Sequence, residues 1–346
     1  MNARSFLGDI LEQPLALKKA LNDYPKEQLS KLKEKIQSGD ISRVIMAGHG
    51  SSYNALYPGF LQLCKLSIPV ALWQTAELMH YGMRQIEEKT LLLLSSQSGR
   101  SIEVETLVNG MEKNHPGFQV ALTNYADSPL GKSADISIQL HAGREHGVAV
   151  KTYINPLALS VLLGVQMNDG DLAQAMNAFH QFSDAVEEYL RDHEKRIAAI
   201  SDLIGDCEHV VVVGRGISNG AASNGAINQK EAAWNFSEGM NAAEFRHGPL
   251  ELADEKLTIF ILEGDDEGRK YNERLASEIL SYGSKVIWVG NHGSSQFPSI
   301  NVPEAEMIAE PAAEGVAMQL VAFALALKKG IEPGKFRRIG KVVRVQ

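Results

Sequence analysis

The chain has 346 residues and a formal net charge of −8, with 44% hydrophobic and 22% charged residues. This length suffices for two domains, and the acidic balance argues against nucleic-acid binding, which requires clustered positive charge. Two cysteines, Cys64 and Cys207, are too few for a disulfide framework or a cysteine-ligated metal site, so we expect both to be small core residues. The longest apolar stretch, residues 317–327, predicts a buried helix. We expect a cytoplasmic protein without a membrane span or a signal peptide.

A helical segment over residues 1–39 opens the chain, with apolar residues at three- and four-residue steps. Short apolar runs and helical segments then alternate through the first half. These predicted elements are a strand at 44–47, a helix at 53–66, a strand at 91–94, a helix at 102–112, and strands at 120–122 and 136–140. Continuous apolar strands that alternate with helices are typical of a parallel sheet that helices cover on both faces.

The second half of the chain repeats this order after a long amphipathic segment that predicts one or two linking helices. Its predicted elements are a strand at 210–213, a helix from there to about Ser237, a strand at 257–262, a helix at 269–281, a strand at 286–289 and a helix at 314–328. We therefore divide the chain into a helical segment (1–39), an α/β domain (40–170), a helical linker (171–204), a second α/β domain (205–329) and a C-terminal tail (330–346).

The two halves share a motif at a fixed spacing. The run at 43–50, Arg-Val-Ile-Met-Ala-Gly-His-Gly, returns at 209–216 as His-Val-Val-Val-Val-Gly-Arg-Gly, and the offset is 166 residues. The apolar runs at 91–94 and 257–260 keep the same offset. Registers that agree at one spacing indicate two similar α/β domains in tandem. A difference between the two copies is then a clue to function.

A polar loop, Ser-Gln-Ser-Gly-Arg-Ser, follows a strand of the first domain at residues 96–101. In open α/β sheets, ligands bind beyond the carboxyl ends of the strands, where free N–H groups at a helix start favour an anion. Three hydroxyls, an amide and a glycine predict a phosphate site there, beyond the simple helix cap that one serine would provide. The corresponding loop of the second domain, 263–267, carries four carboxylates that would repel a phosphate. We therefore expect one anion site, in the first domain.

The neighbouring strand-to-helix turn, residues 48–54, has the sequence Gly-His-Gly-Ser-Ser-Tyr-Asn. It lacks the third glycine of a dinucleotide fingerprint and the Gly-Lys-Ser/Thr ending of a P-loop. A small phosphorylated metabolite therefore fits this site better than a nucleotide does. We predict no cofactor and no metal.

These motifs resemble those of the sugar isomerase (SIS) family over about residues 40–346. Gly-Ser-Ser-Tyr-Asn at 50–54 is similar to the family's Gly-Thr-Ser-Tyr-Asn, and Ser-Gln-Ser-Gly at 96–99 matches its phosphate loop. The chain looks like the double-SIS type, as in the isomerase half of glutamine–fructose-6-phosphate aminotransferase and in stand-alone SIS-type glucosamine-6-phosphate deaminases. The resemblance implies two tandem SIS domains of α/β class, each with a parallel sheet flanked by helices on both faces.

The resemblance also implies a set of phosphate and sugar ligands. These residues are Ser52, Ser96, Gln97, Ser98 and Ser101, with Gly50, Ser51, Arg100, Lys151 and Asn228 as weaker candidates. The chain departs from the family at two of the weaker positions. Asn228 stands where the family has a second lysine, and Arg100 replaces a glutamate. Lys151 matches a Ser-Thr-Lys segment only loosely.

Three further matches concern the chemistry. Lys230-Glu231 resembles the family's Lys-Glu pair, residues 244–249 resemble its Glu-Leu-Lys-His-Gly-Pro, and residues 338–343 resemble its Asn-Leu-Ala-Lys-Ser-Val. By this resemblance Glu231 moves a proton between C1 and C2, His247 assists ring opening in the neighbouring subunit's site, and Lys341 forms a Schiff base with the ketose. Their chemistry suits these roles. Each residue alone could instead be an exposed helix carboxylate, a loop cap or a solvated tail lysine.

The sequence therefore predicts an enzyme that isomerises a hexose 6-phosphate and releases its amino group, like a glucosamine-6-phosphate deaminase. The chain opens Met1-Asn2, without the cysteine that would become a glutaminase nucleophile, so we expect no glutamine hydrolysis. The alternatives are a fructosamine-6-phosphate deglycase, a simple sugar-phosphate isomerase and a non-catalytic sugar-phosphate-binding module. The expected partners are a small phosphorylated sugar and a second copy of the chain, in a homodimer with the active site at the subunit interface. We expect no nucleic-acid or membrane partner.

Overall fold

The computed structural model describes residues 5–111, 115–207, 209–293, 295–338 and 340. The chain folds into two compact units, each assembled from separate stretches of sequence. Among the described residues, the first unit is built mainly from 15–144 and 151–180, and the second contains 5–14, 145–150 and 181–338. Each unit holds one five-stranded parallel sheet. The predicted α/β class, with two tandem parallel sheets, is confirmed.

The first unit is built on a sheet with the strand order β2-β1-β3-β4-β5. Its strands are β1 (Arg43–Gly48), β2 (Val70–Gln74), β3 (Thr90–Ser95), β4 (Phe118–Thr123) and β5 (Ile136–Gln139). The central strands β3 and β4 are buried at every residue. Strands that are buried on both faces need helices on both sides of the sheet.

The second unit repeats this arrangement with the strand order β10-β9-β8-β6-β7. Its strands are β6 (His209–Gly214), β7 (Phe236–Asn241), β8 (Leu257–Leu262), β9 (Lys285–Val289) and β10 (Ser299–Ile300). In both sheets the first strand pairs with the second strand on one side and with the third strand on the other.

The described residues form helices in both units. In chain order they are α1 (Phe6–Leu11), α2 (Gln13–Asn22), α3 (Lys26–Gln37), α4 (Ser51–Leu63), α5 (Thr75–Glu77), α6 (Ile102–Gly110), α7 (Pro129–Ser133), α8 (Lys151–Met167), α9 (Leu172–Arg191), α10 (His193–Ile204), α11 (Asn219–Ala233), α12 (Asp266–Ser281) and α13 (Glu310–Lys328). Short π- and 3₁₀-helical turns lie at 78–82, 83–85, 216–218, 244–246 and 249–252.

The helices are amphipathic or fully apolar according to the layer they occupy. In the first unit, α6 and α7 bury Val104, Leu107 and Leu130 against one face of the sheet. In the second unit, α12 buries its apolar stripe, which includes Leu275 and Ile279, against β8 and β9. The helix pairs α4–α8 and α11–α13 pack tightly within their own units. Both sheets are therefore covered as the strand pattern requires.

Several elements differ from the sequence-based expectations. The helix expected to continue to about Ser237 is wrong, because α11 ends at Ala233 and Trp234 takes a left-handed backbone conformation with φ 48° before β7 begins. The sequence analysis also misses the edge strands β2 and β7. The first contains the apolar run Val-Ala-Leu-Trp but is only half-buried, and the second, Phe-Ser-Glu-Gly-Met-Asn, has no apolar run. It misses α8 as well, because all 17 residues of this helix are buried and leave no amphipathic period.

Two expectations about burial also need correction. Cys64 is exposed, whereas Cys207 is buried as expected. Cys64 is the C-cap of α4 and follows its last buried residue, Leu63, so it lies outside the packed face. The apolar run at 317–327 belongs to the 19-residue helix α13, which is long and apolar enough to span a membrane by length and composition. However, 89% of its apolar window is buried inside the protein, as in a core helix.

Candidate functional site

The first sheet has its topological switch point between β1 and β3. The chain leaves β1 towards β2 on one side of the sheet and builds β4 and β5 on the other. Because β1 and β3 are parallel neighbours, with Ala47 opposite Leu94, the loops at 48–54 and 96–101 emerge side by side at the same edge. Crevices at such points are where open α/β sheets bind ligands.

The loop at 96–101 is fixed mainly by its backbone. The Ser96 N–H donates to Leu122 O at 3.0 Å, and the Asn124 N–H donates to Gln97 O at 3.1 Å, so the loop is tied to the end of β4. The Ser96 hydroxyl accepts the Gly99 N–H at 3.2 Å. Ser98 is buried, and its hydroxyl accepts the Arg100 N–H at 3.3 Å. The loop is thus a tight turn lined with hydroxyl groups.

The start of α6 leaves hydrogen-bonding capacity at this loop. Ser101 is the N-cap of the helix, but its side chain makes no capping hydrogen bond. The first N–H groups of a helix without a side-chain cap carry the positive end of the helix dipole and suit an anion. Together with the half-buried Ser96, Gln97 and Ser101, this helix start can bind three oxygens of a phosphate.

The turn at 48–54 supplies the second wall of the crevice. Gly50 is the N-cap of α4 with φ 51°, and α4 also has no side-chain capping bond. Ser51 and Ser52 are half-buried in the first turn of that helix. His49 is held in place because its Nε2 accepts the Ala76 N–H at 3.0 Å. This bond leaves Nε2 without a proton and directs the other ring nitrogen away from Ala76.

Arg100 lies at the exposed rim of the crevice rather than inside it. Its Nε donates to Ser98 O at 3.3 Å, its guanidinium lies 5.6 Å from the centre of the Tyr125 ring, and its NH2 group is 3.9 Å from Asp127. The positive charge expected near the anion is therefore partly paired with a carboxylate. A long side chain at this position can attract an anion without closing over it.

Two buried hydroxyls at this edge escaped the sequence analysis. Thr75 follows β2 and Ser95 ends β3, and both hydroxyls are buried without a hydrogen-bond partner among the described residues. Unpartnered buried hydroxyls are costly, so they mark positions where a ligand or water is needed. Thr75 could have been found as a polar residue that directly follows a strand. This signal is visible only if the edge strand β2 is itself predicted.

The second unit fills the equivalent position with carboxylates that are already paired. Glu263 follows β8, is 2% exposed, and accepts the His292 N–H at 2.8 Å while its other oxygen lies 3.2 Å from Arg269 Nε. Asp265 caps α12 by accepting the Gly268 N–H at 2.7 Å. The second sheet therefore carries negative charge at the edge that corresponds to the hydroxyl-lined edge of the first sheet. This difference favours a single anion site, in the first unit.

The first turns of α13 bring two further carboxyl groups to the same edge of the second sheet. Glu314 is fully buried and accepts the Gly264 N–H at 3.0 Å. Burial raises the pKa of the Glu310 carboxyl to about 7, and the charges of Glu263 and Glu304 add to that effect. Burial, with Glu310 beside it, also raises the pKa of Glu314 well above its usual range. Acid groups of the second unit therefore occupy the position that corresponds to the anion loop of the first unit.

The residues expected to perform the chemistry lie on different elements. Asn228 and Glu231 are on α11, where three-residue spacing places them on one face of the helix; Asn228 is buried and Glu231 is half-buried. His247 is exposed and follows the 3₁₀ turn at 244–246. Its backbone N–H donates to Glu244 O at 2.8 Å. Lys151 begins α8, and its buried amine donates to Arg144 O at 3.3 Å. Lys341 lies outside the described residues.

The two halves of the chain match one family. The SIS domain profile covers residues 40–165 and again 203–328. The chain belongs to the SIS domain family. The matched stretches contain the two sheets described above, so this SIS protein carries the domain in tandem.

Among curated proteins, this SIS protein is similar to glutamine–fructose-6-phosphate aminotransferases. The enzyme from Thermococcus kodakarensis is 27% identical over 355 residues, a match that covers 98% of this chain and 58% of the relative. The chain thus spans a little under three fifths of the length of the curated relatives it matches.

Solved structures with the same fold come from related proteins. The C-terminal domain of glucosamine-fructose-6-phosphate aminotransferase from Francisella tularensis has a TM-score of 0.84 at 22% identity, over 95% of this chain and 97% of that one. The glucosamine-6-phosphate deaminase of Thermotoga maritima has a TM-score of 0.77 at 22% identity, over 98% of this chain and 99% of that one. These values show a shared double-SIS fold.

Proposed function

We propose that this SIS protein is a sugar-phosphate isomerase that binds a hexose 6-phosphate in its first unit and releases an amino group from it. The observation that carries the proposal is the hydroxyl-lined crevice at the β1/β3 switch point. It joins two uncapped helix starts and half-buried serines, and no carboxylate of the 96–101 loop competes with the ligand. This donor set suits a dianionic ester.

A proton transfer between neighbouring carbons is the central step of the proposed reaction. In open-chain glucosamine 6-phosphate, Glu231 would remove the C2 proton and return it to C1, while a proton passes from the amino nitrogen to the C1 oxygen. The C1 aldehyde and C2 amine thus become a C1 alcohol and a C2 imine. A carboxylate can serve both carbons when it is held above them. His247 would first move a proton from the anomeric hydroxyl to the ring oxygen, because its ring can donate and accept near neutral pH.

Release of ammonia would follow at C2. The uncharged amine of Lys341 would add to the C2 imine and displace ammonia, and water would then release fructose 6-phosphate from the lysine. The sum of these steps is glucosamine 6-phosphate plus water giving fructose 6-phosphate plus ammonia. An amine nucleophile lowers the barrier by splitting a difficult hydrolysis into two easier steps.

The test is a coupled ammonia assay over a panel of glucosamine 6-phosphate, fructosamine 6-phosphates and unsubstituted hexose 6-phosphates. We expect ammonia and fructose 6-phosphate from glucosamine 6-phosphate. A panel in which no compound is turned over would reject the enzyme assignment.

One observation favours a deglycase as the second candidate. Asn228 is buried on the same face of α11 as Glu231, where the resemblance places a lysine in the family. A neutral amide removes a cation from this position, and that change suits a substrate whose own nitrogen is positively charged. Release of an amino acid rather than ammonia, from a fructosamine 6-phosphate, would favour this candidate over the deaminase.

A homodimer in the cytoplasm completes the proposal. His247 is exposed on a turn that Phe245, which is fully buried, anchors to the second unit. An exposed histidine can serve a site on a second copy of the chain, as the resemblance implies. The proposed partners are therefore the sugar phosphate and a second subunit.

A further inference from the structure

His49 lies at the centre of the crevice of the first unit. It directly follows β1, which pairs with β2 on one side and with β3 on the other. Continued past the strand ends, these two registers place His49 level with Thr75 at the start of α5 and with Ser96 of the 96–101 loop, the anion loop. The half-buried histidine therefore stands between the anion loop and the end of β2.

One hydrogen bond fixes both the orientation and the tautomer of this ring. Its Nε2 accepts the Ala76 N–H at 3.0 Å, and this bond assigns the proton of the neutral imidazole to Nδ1. Since α5 has no side-chain cap of its own, the histidine also satisfies one of the free N–H groups at the start of that helix. The Nδ1–H group has no hydrogen-bond partner among the residues that the structure describes.

The second unit forms the same turn without a histidine. Arg215 stands at the equivalent position, 166 residues later, and its guanidinium lies 5.3 Å from the centre of the Tyr271 ring. The registers of β2 and β7 make Ala243 the equivalent of Ala76, and the Ala243 N–H donates to Asn241 Oδ1 at 2.8 Å. The fold therefore does not require a histidine to satisfy this N–H group. The unit that uses one is the unit with the hydroxyl-lined crevice.

The surroundings of the ring offer an anion further donors and no competing acid. Thr75 is 1% exposed, and its hydroxyl has no partner among the described residues. On the other side of the histidine, α4 begins at Ser51 without a side-chain capping bond, so its first N–H groups carry the positive end of the helix dipole. Neither the turn at 48–54 nor the anion loop contains an acidic residue that would accept the Nδ1–H instead.

We propose that His49 is a substrate-binding residue, and that its Nδ1–H donates a hydrogen bond to a phosphate oxygen of the bound sugar phosphate. This inference rests on the proposed function, which places a phosphate ester in this crevice. The ring acts as an uncharged, oriented donor, as the backbone N–H groups of the two helix starts do. Ala76 holds it in the tautomer that can donate, because moving the proton to Nε2 would set two N–H groups against each other.

The first experiment observes the ring directly. Nuclear magnetic resonance spectra of protein labelled with ¹⁵N-histidine are recorded before and after addition of inorganic phosphate, and the His49 signals are assigned by their loss in the H49Q variant. We expect the Nδ1-protonated tautomer in the free protein and a shift of the Nδ1 resonance when phosphate is added. A proton on Nε2, or an Nδ1 resonance that phosphate leaves unchanged, would overturn the inference.

The second experiment separates direct contact from positioning with two matched variants. In H49N the amide nitrogen can take the place of Nδ1, whereas in H49Q the amide oxygen can take the place of Nε2 and accept the Ala76 N–H. We expect H49Q to weaken inorganic phosphate binding, measured by calorimetry, about tenfold, the usual effect of losing one hydrogen bond to a charged group. H49N should weaken it less than threefold. The opposite order would show that His49 acts only by positioning α5.

The control variant is H80Q, because His80 is exposed four residues beyond Ala76 and should leave phosphate binding unchanged. Glucosamine 6-phosphate is titrated into E231Q proteins with and without H49Q, since loss of the proposed base prevents turnover, and its affinity should fall by the same factor as that of inorganic phosphate. A loss confined to glucosamine 6-phosphate would assign the N–H to a sugar hydroxyl and overturn the phosphate contact.

The outcomes also distinguish this inference from the proposed function. A wild type that binds inorganic phosphate but turns over no sugar phosphate would refute the proposed function and leave the His49 contact standing. Unchanged phosphate binding in H49Q, with a wild type that releases ammonia from glucosamine 6-phosphate, would refute the contact alone. A wild type that binds no phosphate would refute both.

Discussion

At the scale of single residues, Gly99 determines the shape of the anion loop. It has φ 60°, and a Cβ added to it would lie 2.1 Å from Ser128 Oγ and 3.0 Å from Thr123 Oγ1. Both the backbone conformation and the space therefore require glycine at this position. The close approach also brings the loop N–H groups against the end of β4, where they help form the crevice.

We expect the G99A variant to lose stability and anion binding together. The left-handed backbone costs about 1–2 kcal/mol with any Cβ, and the clash with Ser128 adds about 1–3 kcal/mol. G143A is the matched control, because Gly143 also has φ 60° but nothing lies within 4 Å of an added Cβ. Urea unfolding should show a larger loss for G99A, and phosphate inhibition should weaken at least tenfold for G99A alone. Equal losses in both variants would contradict the steric argument.

The predicted ligand residues show what a sequence pattern reports at this scale. Short polar residues after an apolar run identify Ser96 and Ser98, because a parallel sheet places strand ends together. Thr75 and the orientation of His49 are not predictable in the same way. Thr75 is placed by the edge strand β2, and His49 is oriented by a single hydrogen bond that its Nε2 accepts from the Ala76 N–H. Neither feature leaves a periodic signal in the sequence.

At the scale of elements, the central strands and the edge strand β5 were predicted, whereas the edge strands β2, β7 and β10 were not. Each of β1, β3, β6, β8 and β9 contains four consecutive apolar residues, and these residues are buried, so their sequence reports their burial. In β7, by contrast, only Ser237 is buried and Phe236 is 73% exposed, so packing rather than pattern defines the strand. The fully buried α8 fails for the opposite reason, because a helix surrounded by protein shows no polar face.

The start of α13 makes the difference between the two units larger than the sequence suggested. The first turns of this helix bring Glu310 and Glu314 to the edge of the second sheet that corresponds to the crevice edge of the first sheet. The raised pKa of these groups means that the folded protein holds protons more tightly than the unfolded chain does. The stabilising contribution of Glu310 is complete below the ordinary carboxyl pKa of 4.5 and is lost as the pH rises through about 7. That of Glu314 is lost in the same direction, as the pH rises through its own raised pKa.

We expect the E314Q variant to flatten this pH dependence. The free energy of unfolding of the wild type should fall by about 2 kcal/mol between pH 5 and pH 8, and the fall should be smaller in E314Q, which has lost one of the two groups that release a proton. Glutamine keeps an oxygen for the Gly264 N–H but carries no charge beside Glu310. E267Q is the control, because Glu267 is exposed in the first turn of α12 and should leave the profile unchanged. A wild-type stability that rises over this pH range would refute the argument.

At the scale of the whole molecule, the composition of the two units could not be predicted. Residues 5–14 and 145–150 fold with the second unit although they precede or interrupt the first half of the chain. Local patterns report whether a residue is buried, but not which unit buries it. The 166-residue repeat did predict two similar sheets, since it records the same strand-to-helix turns twice, and Gly50 and Gly216 have φ of 51° and 55°.

The subunit arrangement proposed for His247 makes a quantitative prediction. If each active site combines Glu231 of one subunit with His247 of the other, the H247A and E231Q variants should each be inactive alone. In a mixed dimer, one site then carries both substitutions and the other carries neither. Half of the dimers in an equal, fully exchanged mixture are mixed, so the mixture should recover about a quarter of wild-type activity.

The control for this experiment is a mixture of E231Q with K341A. Glu231 and Lys341 belong to the same subunit in the proposed site, so each site of the mixed dimer keeps one defect and the mixture should stay inactive. The measurement is ammonia release after co-expression of differently tagged chains and purification of the mixed dimer, in which half of the sites should be active. An inactive H247A/E231Q dimer would place His247 in its own subunit's site. The exposure of His247 would then need another explanation, because a ring that serves its own subunit would be expected to face that subunit's crevice.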